Sequence, residues 1–487
     1  MRRRWWLPSL GAALWLAFFL GPAMSEWRLV LISADGDPAL HWRIGHWMIE
    51  HRQILRTEQF SHTRLGAPLI SKEWLGEVLY AAAGNALGWQ GIVILGSALI
   101  ATTLWLLYRL LRAEGAAALL ATGLVLVAAL ACSHHWLARP HLFTHLLTVV
   151  FVWQLRAGKA WWLPLWMVLW VNLHGAFLTG FVLIGCFIAG SVLRRDWRKA
   201  GLLAGVLAAC GAASLLNPNG WRLHLHILEF LRTPVVAQFA NEFGSPDFHA
   251  GGMRGFTLLL LLLGVTLLWV RPRWKPVEVV LLAVWGYLAL RQVRNVPIFT
   301  LVAVPILAEH LGAWLTAPRY RQWSANVERL DAGAGGWIVA LAALALIPQT
   351  DILPSRFPVA AVKFLRAQPA AVCGEMFNDY GWGGYLLLAL PERRVFVDGR
   401  NDFYGGPFME EFNRCDRAQP GWEAVCEKYR VGWTILPVQH PLNQLLALRP
   451  EWPVVYADAV AVIRARATGS RRDQSDTSAV SRRASCD

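Results

Sequence analysis

Charge is scarce in this chain: only 16% of its 487 residues are Asp, Glu, Lys or Arg, and the acidic ones number 32 against 46 basic. With 56% hydrophobic residues, that shortage leaves too little polar surface for a soluble domain of this size. Recognisable ligand motifs are missing too. No Cys/His spacing matches a zinc module, and neither a Gly-Lys-Ser/Thr phosphate loop nor a dinucleotide fingerprint occurs, so nothing in the pattern supports nucleotide hydrolysis or hydride transfer. Cysteine is sparse, at seven residues. Cys132, Cys186 and Cys210 lie in apolar runs and read as small buried hydrophobes, while Cys373, Cys415 and Cys426 fall in a polar region where a bridge such as Cys415 to Cys426 is permitted.

What the chain does hold is tryptophan, 27 of them, and long apolar runs. Crossing the hydrocarbon core takes roughly 20 apolar residues. Runs of suitable character lie near 6–24, 92–110, 116–132, 141–155, 161–173, 177–193, 200–216, 255–270, 277–290, 296–314 and 334–349. The expected fold is a polytopic α-helical membrane protein with about eleven transmembrane helices. The net charge of +14 does not indicate nucleic-acid binding, because the basic residues are scattered in short clusters between apolar runs.

Those clusters set an orientation. With the N-terminus in the cytoplasm, the inner segments carry Arg2 to Arg4, Arg109 and Arg112, Arg156 and Lys159, Arg194 to Lys199, Arg271 to Lys275, and Arg319 to Arg329, as the bias of Lys and Arg toward the cytoplasmic side requires. An odd number of spans leaves the C-terminus outside. Residues 1–24 also have a signal-peptide character, but the apolar stretch is long and an uncleaved first span is the favoured reading.

Three regions follow: a membrane domain over 1–351 containing a large first outer loop at 27–90, an outer α/β domain at 352–466, and a polar Ser/Arg-rich tail at 467–487 read as disordered. In the first loop, 40–52 and 72–88 mix Trp and aliphatic residues with charges, as interfacial helices do, and 57–68 has turn chemistry. In the outer domain 371–377, 393–399 and 432–437 read as buried strands, 407–415, 421–429 and 441–449 as helices, and 452–466 as a hairpin around Ala457 and Asp458.

The densest polar group is Asp35-Gly36-Asp37-Pro38, followed by His41 and Arg43, directly after the first apolar run. Two carboxylates, an imidazole and a guanidinium beside a membrane are either solvated, paired or chemical. On the same expected outer face lie Glu58, Glu73 and Glu77; His134, His135, Arg139 and His141; Asn172 and His174; Asn217 and Asn219; Glu242 and Asp247; and Arg294 with Asn295. Each has a plainer reading. The Asp pair also fits an Asx-capped turn at a helix start, Arg139 and Arg294 fit snorkelling residues, Asn172 and His174 fit a helix break, and Glu73 and Glu77 fit a solvated helix face. In the outer domain Tyr380 to Tyr385 reads as a sugar-stacking surface or a structural turn, and Arg400 as a ligand residue or a partner of Asp398 or Asp402 that fixes a loop.

The segments DGDPALHWRIGHW (35–47), FSHTRLGAPLISKEWLGEV (60–78), ARPHLF (138–143), WVNLHGAFLTG (170–180), LNPNGW (216–221), RNVPIF (294–299) and NDYGWGGYLLLALPERRVFVDGRNDFY (378–404) give the chain a resemblance to bacterial multi-pass proteins of the GT-C glycosyltransferase superfamily. The resemblance implies transfer of a sugar from a polyprenyl-phosphate carrier to a lipid, glycan or protein acceptor on the outer side of the bacterial inner membrane. It implies Asp35 or Asp37 as base or as ligand of a divalent ion such as Mg or Mn. It also implies Arg139 and Arg294 as phosphate ligands, with His41, Arg43, Asn172, His174 and Asn295 as further substrate contacts. The competing expectation is a transporter, or a lipid-handling or assembly protein without catalysis.

Overall fold

The computed structural model describes residues 9–232, 241–271, 273–331, 344 and 346–467. Ten of the eleven apolar runs coincide with helices, and the eleventh, 334–349, lies largely outside the described residues. Among the described residues, five helices are long and apolar enough to cross a membrane: Trp74–Ala113, Ala118–His135, Gly175–Leu193, Gly251–Val270 and Val293–Trp314. A sixth span arises if Leu10–Met24 and Trp27–Ser33, bent by 69°, are taken together. The remaining apolar helices, including His141–Arg156, Leu163–Leu173, Trp197–Ala213 and Pro276–Arg291, are shorter. The chain is thus a polytopic α-helical membrane protein carrying a small mixed-sheet domain.

The chain divides into two compact units. The first comprises Met1–Ala34, Ile44–Ile54 and Ile70–Asp351, and the second Asp35–Arg43, Leu55–Leu69 and Ile352–Asp487. The sequence had suggested the first loop as part of the membrane domain, whereas the contacts group two of its segments with the C-terminal residues.

Local chemistry explains the helix ends of the first unit. Ser9 caps the first helix by accepting from the Ala12 amide at 3.1 Å, and Asp196 caps Trp197–Ala213 by accepting from the Lys199 amide at 3.0 Å. The helix Trp74–Ala113 is interrupted at Leu87 and Gly88, where Gly88 takes a φ of +60° that a side chain would strain. Residues 74–86 therefore form a separate helical piece, ending where the sequence placed the end of the expected 72–88 helix. Small residues bring helices close: a Cβ on Gly190 would lie 2.5 Å from Val277, and one on Gly255 2.3 Å from the Leu130 backbone. Tyr80, Tyr108 and Trp170 fill the interior between them.

Among its described residues the second unit carries a four-stranded sheet, β1 (Glu375–Asn378), β2 (Val431–Pro437), β3 (Val454–Ala457) and β4 (Ala461–Ala465), in the order β1-β2-β4-β3. β1 runs parallel to β2, and the other pairs are antiparallel. Helices Gly406–Asp416, Trp422–Lys428 and Pro441–Leu446 fall where the sequence expected them. The expected hairpin is present as β3 and β4, closed by Asp458 Oδ1, which accepts from the amides of Val460 and Ala461 at 2.7 Å.

The expected strand at 393–399 does not form a ladder. Instead, the Asn378 side chain accepts from the Phe396 amide at 2.8 Å and donates to the Val397 carbonyl at 2.9 Å. On the other side Val395 makes an isolated parallel bridge with Ser61 of the first loop. A buried apolar run thus finds one amide side chain and one loop as partners, where periodicity suggested a full strand. The Cys415–Cys426 bridge is also corrected: both are free buried thiols, and a hydrogen bond between them, together with burial, pushes the Cys415 thiol up.

Candidate functional site

Within the second unit, the Asp35-Gly36-Asp37 turn is set by its own chemistry and by glycines far along the chain. Asp35 Oδ1 accepts from the Asp37 amide at 3.0 Å, the Asx geometry that starts the helix Asp37–His51. Gly36 abuts the Tyr380–Tyr385 turn so closely that a Cβ on Gly384 would lie 2.2 Å from the Gly36 carbonyl. A Cβ on Gly399 would lie 2.1 Å from Asp37 Oδ1. The Asp37 carboxylate therefore rests on backbone that only glycine leaves open. His41 is buried in the same segment, and the Arg43 guanidinium lies 5.3 Å from the Phe60 ring centroid.

A buried ion network holds the first-loop hairpin to this frame. Arg400 donates to Glu58 at 2.6 and 3.0 Å and to Asp398 at 2.8 and 2.5 Å, while Glu58 also accepts from the amides of Phe60 and Ser61 at 2.8 and 2.6 Å. Tyr404 donates to Asp398 at 3.0 Å. Glu58 and Asp398 have no exposed surface, so the pairing is obligatory. Although burial opposes its charge, the two carboxylates hold the Arg400 guanidinium well above its ordinary range. His62, Thr63 and Arg64 add bonds to the carbonyls of Met376, Phe396 and Tyr404 at 2.9, 2.8 and 2.6 Å. Arg400 thus follows the loop-fixing reading with Asp398 as its partner. The Tyr380–Tyr385 turn is likewise structural: Trp382 and Tyr385 are buried, Trp382 Nε1 donates to the Arg356 carbonyl, and Tyr380 donates to Asn401.

The first unit gathers a second group around Glu242. Its carboxylate lies 3.5 Å from His135 Nε2 and interacts electrostatically with Arg139 and Arg294. Burial by itself raises a carboxyl pKa, but the hydrogen bond with His135 and the charges of Arg139, His135 and Arg294 hold Glu242 well below the usual carboxylate range. Arg294 also covers the Phe243 ring at 4.2 Å, and the Val293 amide donates to the Gly244 carbonyl at 2.8 Å, which docks the 241–244 turn on the start of the Val293–Trp314 helix. Two guanidiniums expected to bind an anion therefore converge on one.

Other expected residues have structural employment. Asn172 accepts from Trp74 Nε1 at 2.7 Å and donates to the carbonyls of Val168 and Leu216 at 2.7 and 2.9 Å, satisfying backbone at a helix end. It also borders a mostly apolar cavity of about 790 Å³ that Trp74, Trp166, Leu169 and Leu216 help to line. His174 caps the following short helix, contacts Thr144 at 2.8 Å and pairs with Glu73 at 3.6 Å. Asn295 donates to the Leu288 carbonyl at 3.2 Å, and Asn217 closes a local turn through Ser214 and Gly220. Glu77 is buried and Glu73 nearly so, which corrects their reading as a solvated face.

Asp35 and Asp37 belong to no group of three or more metal-ligating side chains among the described residues, and one Asp35 oxygen is committed to the helix start. Sequence reasoning passed over His145, which stands four residues after His141 on one helix face, and gave Glu242 no role with His135. The i, i+4 spacing was the available signal for the first, and no local signal existed for the second.

No family model and no curated protein matches the chain. Its fold is nonetheless similar to those of solved proteins at low sequence identity. The archaeal oligosaccharyltransferase AglB from Archaeoglobus fulgidus, in complex with an inhibitory peptide and a dolichol-phosphate, matches over 88% of this chain and 69% of its own, with 11% identity and a TM-score of 0.59. ArnT from Cupriavidus metallidurans matches in its apo state over 93% of this chain and 98% of its own, with 14% identity and a TM-score of 0.55. Its undecaprenyl-phosphate-bound form matches over 94% and 98%, with 14% identity and a TM-score of 0.53.

Proposed function

We propose that this protein is an integral-membrane glycosyltransferase that moves a sugar from a polyprenyl-phosphate carrier to a lipid, glycan or protein acceptor at the outer side of a bacterial inner membrane. The observation that carries the reading is the match of nearly the whole chain to nearly the whole of ArnT, which was solved with undecaprenyl phosphate bound. All eleven apolar runs are taken as spans, with the N-terminus cytoplasmic and residues 352–466 extracytoplasmic, which agrees with the distribution of Lys and Arg.

In this proposal Asp35 or Asp37 accepts the proton of the acceptor hydroxyl. The acceptor oxygen bonds to the anomeric carbon as the bond from that carbon to the phosphate oxygen breaks, and the electron pair leaves on polyprenyl phosphate. A single displacement inverts the anomeric centre. Arg139 and Arg294 bind the phosphate, because guanidinium matches its oxygens in a bidentate way; their convergence on the Glu242 carboxylate supports an anion-binding role. His41, Arg43, Asn172, His174 and Asn295 remain substrate contacts in the proposal, the last three beside the hydrogen bonds that position them.

The test is sugar transfer in proteoliposomes with a panel of polyprenyl-phosphate sugars, comparing wild type with Asp35→Asn, Asp37→Asn, Arg139→Lys and Arg294→Lys. One Asp variant is expected to lose about 10²-fold or more in rate, the scale of general-base catalysis. The Arg variants are expected to raise the apparent KM for donor. Wild-type rates in both Asp variants remove them as base, and no donor consumption by the wild type removes the enzyme reading.

A further inference from the structure

We propose that His135, His141 and His145, with Glu242 beside His135, form a binding site for a divalent transition-metal ion of the zinc type. The three imidazoles are all buried, and each offers a ring nitrogen within 4.8 Å of the others. Ring centroids stand 4.3 Å apart for His135 and His141, 5.3 Å for His141 and His145, and 5.8 Å for His135 and His145. Glu242 brings a carboxylate oxygen to 3.5 Å from His135 Nε2. Three imidazoles make a ligand set of borderline donors with a fourth position open to water, which suits zinc, cobalt or iron and not magnesium or calcium.

Two further observations point to a ligand. His135 Nδ1 is buried without a hydrogen-bond partner, an expensive state for an imidazole, while Nε2 faces the Glu242 carboxylate. His141 Nε2 lies 2.9 Å from the His135 carbonyl, and since a carbonyl only accepts, that nitrogen carries the proton. In the neutral ring the tautomer leaves the Nδ1 lone pair available, and a backbone bond fixing the other nitrogen is the usual support of a metal-bound histidine. The framework is rigid as well: His141 and His145 stand on one face of a helix, and the amides of Trp136 and Leu137 bond to Ser133 and His135 in the turn before it. Tetrahedral ligands around a zinc-sized ion stand about 3.4 Å apart, so binding draws the three nitrogens inward by side-chain rotation. This inference is independent of sugar transfer and concerns residues apart from Asp35 and Asp37.

The test uses the full chain, purified in detergent, stripped with chelator and titrated with Co²⁺ and then Zn²⁺. The expected result is one Co²⁺ per chain with the intense visible absorption of four-coordinate cobalt, bleached by equimolar Zn²⁺. His145→Ala and His135→Asn are expected to weaken binding by at least about 10-fold, and Glu242→Gln by a smaller factor. Circular dichroism checks that each variant retains its helix content. Because His145→Ala removes a buried ring, His145→Gln serves as the size-preserving second variant and is expected to lose the visible band with its helices intact. A wild type that binds no Co²⁺, or a visible band that persists in His135→Asn and His145→Gln, overturns the proposal. Neither outcome bears on donor consumption, so this inference and the transferase reading fail separately.

Discussion

Arg400 carries the clearest energetic consequence of any single residue. Its guanidinium is shared by Glu58 and Asp398, which have no exposed surface, and removing it leaves two buried carboxylates together. Arg400→Met is therefore expected to destabilise the second unit by about 3–5 kcal/mol, measured as a lowered thermal or denaturant midpoint. Unchanged stability would mean that water replaces the pair. Gly399 makes the second residue-scale prediction. A methyl group there would collide with Asp37 Oδ1, so Gly399→Ala should cost about 1–3 kcal/mol or shift the Asp37 carboxylate, whereas Gly405→Ala meets no atom within 4 Å. Since Gly405 has a φ of +74°, its variant serves as a control for backbone strain without a clash. Sugar transfer falling in the Gly399 variant but not in the Gly405 variant would tie the position of Asp37 to activity.

At the scale of elements, the β3–β4 hairpin depends on one carboxylate. Burial raises the Asp458 carboxyl, but the Tyr456 hydroxyl and the amides of Ala461 and Val460 outweigh it and hold the group below its ordinary range. A depressed carboxyl contributes stability that is fully present above its unfolded value, about pH 3.9, and lost as pH falls through the folded one. Hydrogen exchange at Val460 and Ala461 should therefore report opening of the turn below about pH 4. Asp458→Asn should flatten that dependence, and equal pH dependence in both proteins would refute the assignment. The hairpin itself was legible, because alternating apolar residues flank a turn centred on Asp458. The run 393–399 was not: its apolar pattern is that of a strand, yet its partners are the Asn378 side chain and Phe60 to His62, more than 300 residues away. Periodicity reports which residues are buried and is silent about what pairs their backbone.

For the whole molecule, the notable feature is that residues 35–43 and 55–69 belong with Ile352–Asp487. Truncation after residue 351 removes Val395, Asp398 and Arg400 from the 55–69 hairpin, which keeps only its internal bonds such as Glu58 to Ala67 and Leu69 to Arg56. Trypsin is expected to cut after Arg56 and Arg64 faster in the truncated chain than in the full one, followed by mass spectrometry. Equal rates would show that the hairpin holds itself. Polytopic membrane class, the places of ten helical segments and the polarity of the first loop were all readable in the sequence. Each rests on the free energy of placing apolar or charged groups in lipid, which is nearly local and accumulates residue by residue. The sequence alone also singled out Asp35, Asp37, Arg139 and Arg294. Only the tertiary structure decided that Asp37 rests on Gly399, that Glu58 shares Arg400 with Asp398, and that Arg139, Arg294 and His135 gather at Glu242. These are pairings of buried polar groups across long stretches of chain. Their energy depends on geometry that no local pattern encodes, because a charge can be buried only where a distant segment supplies its partner.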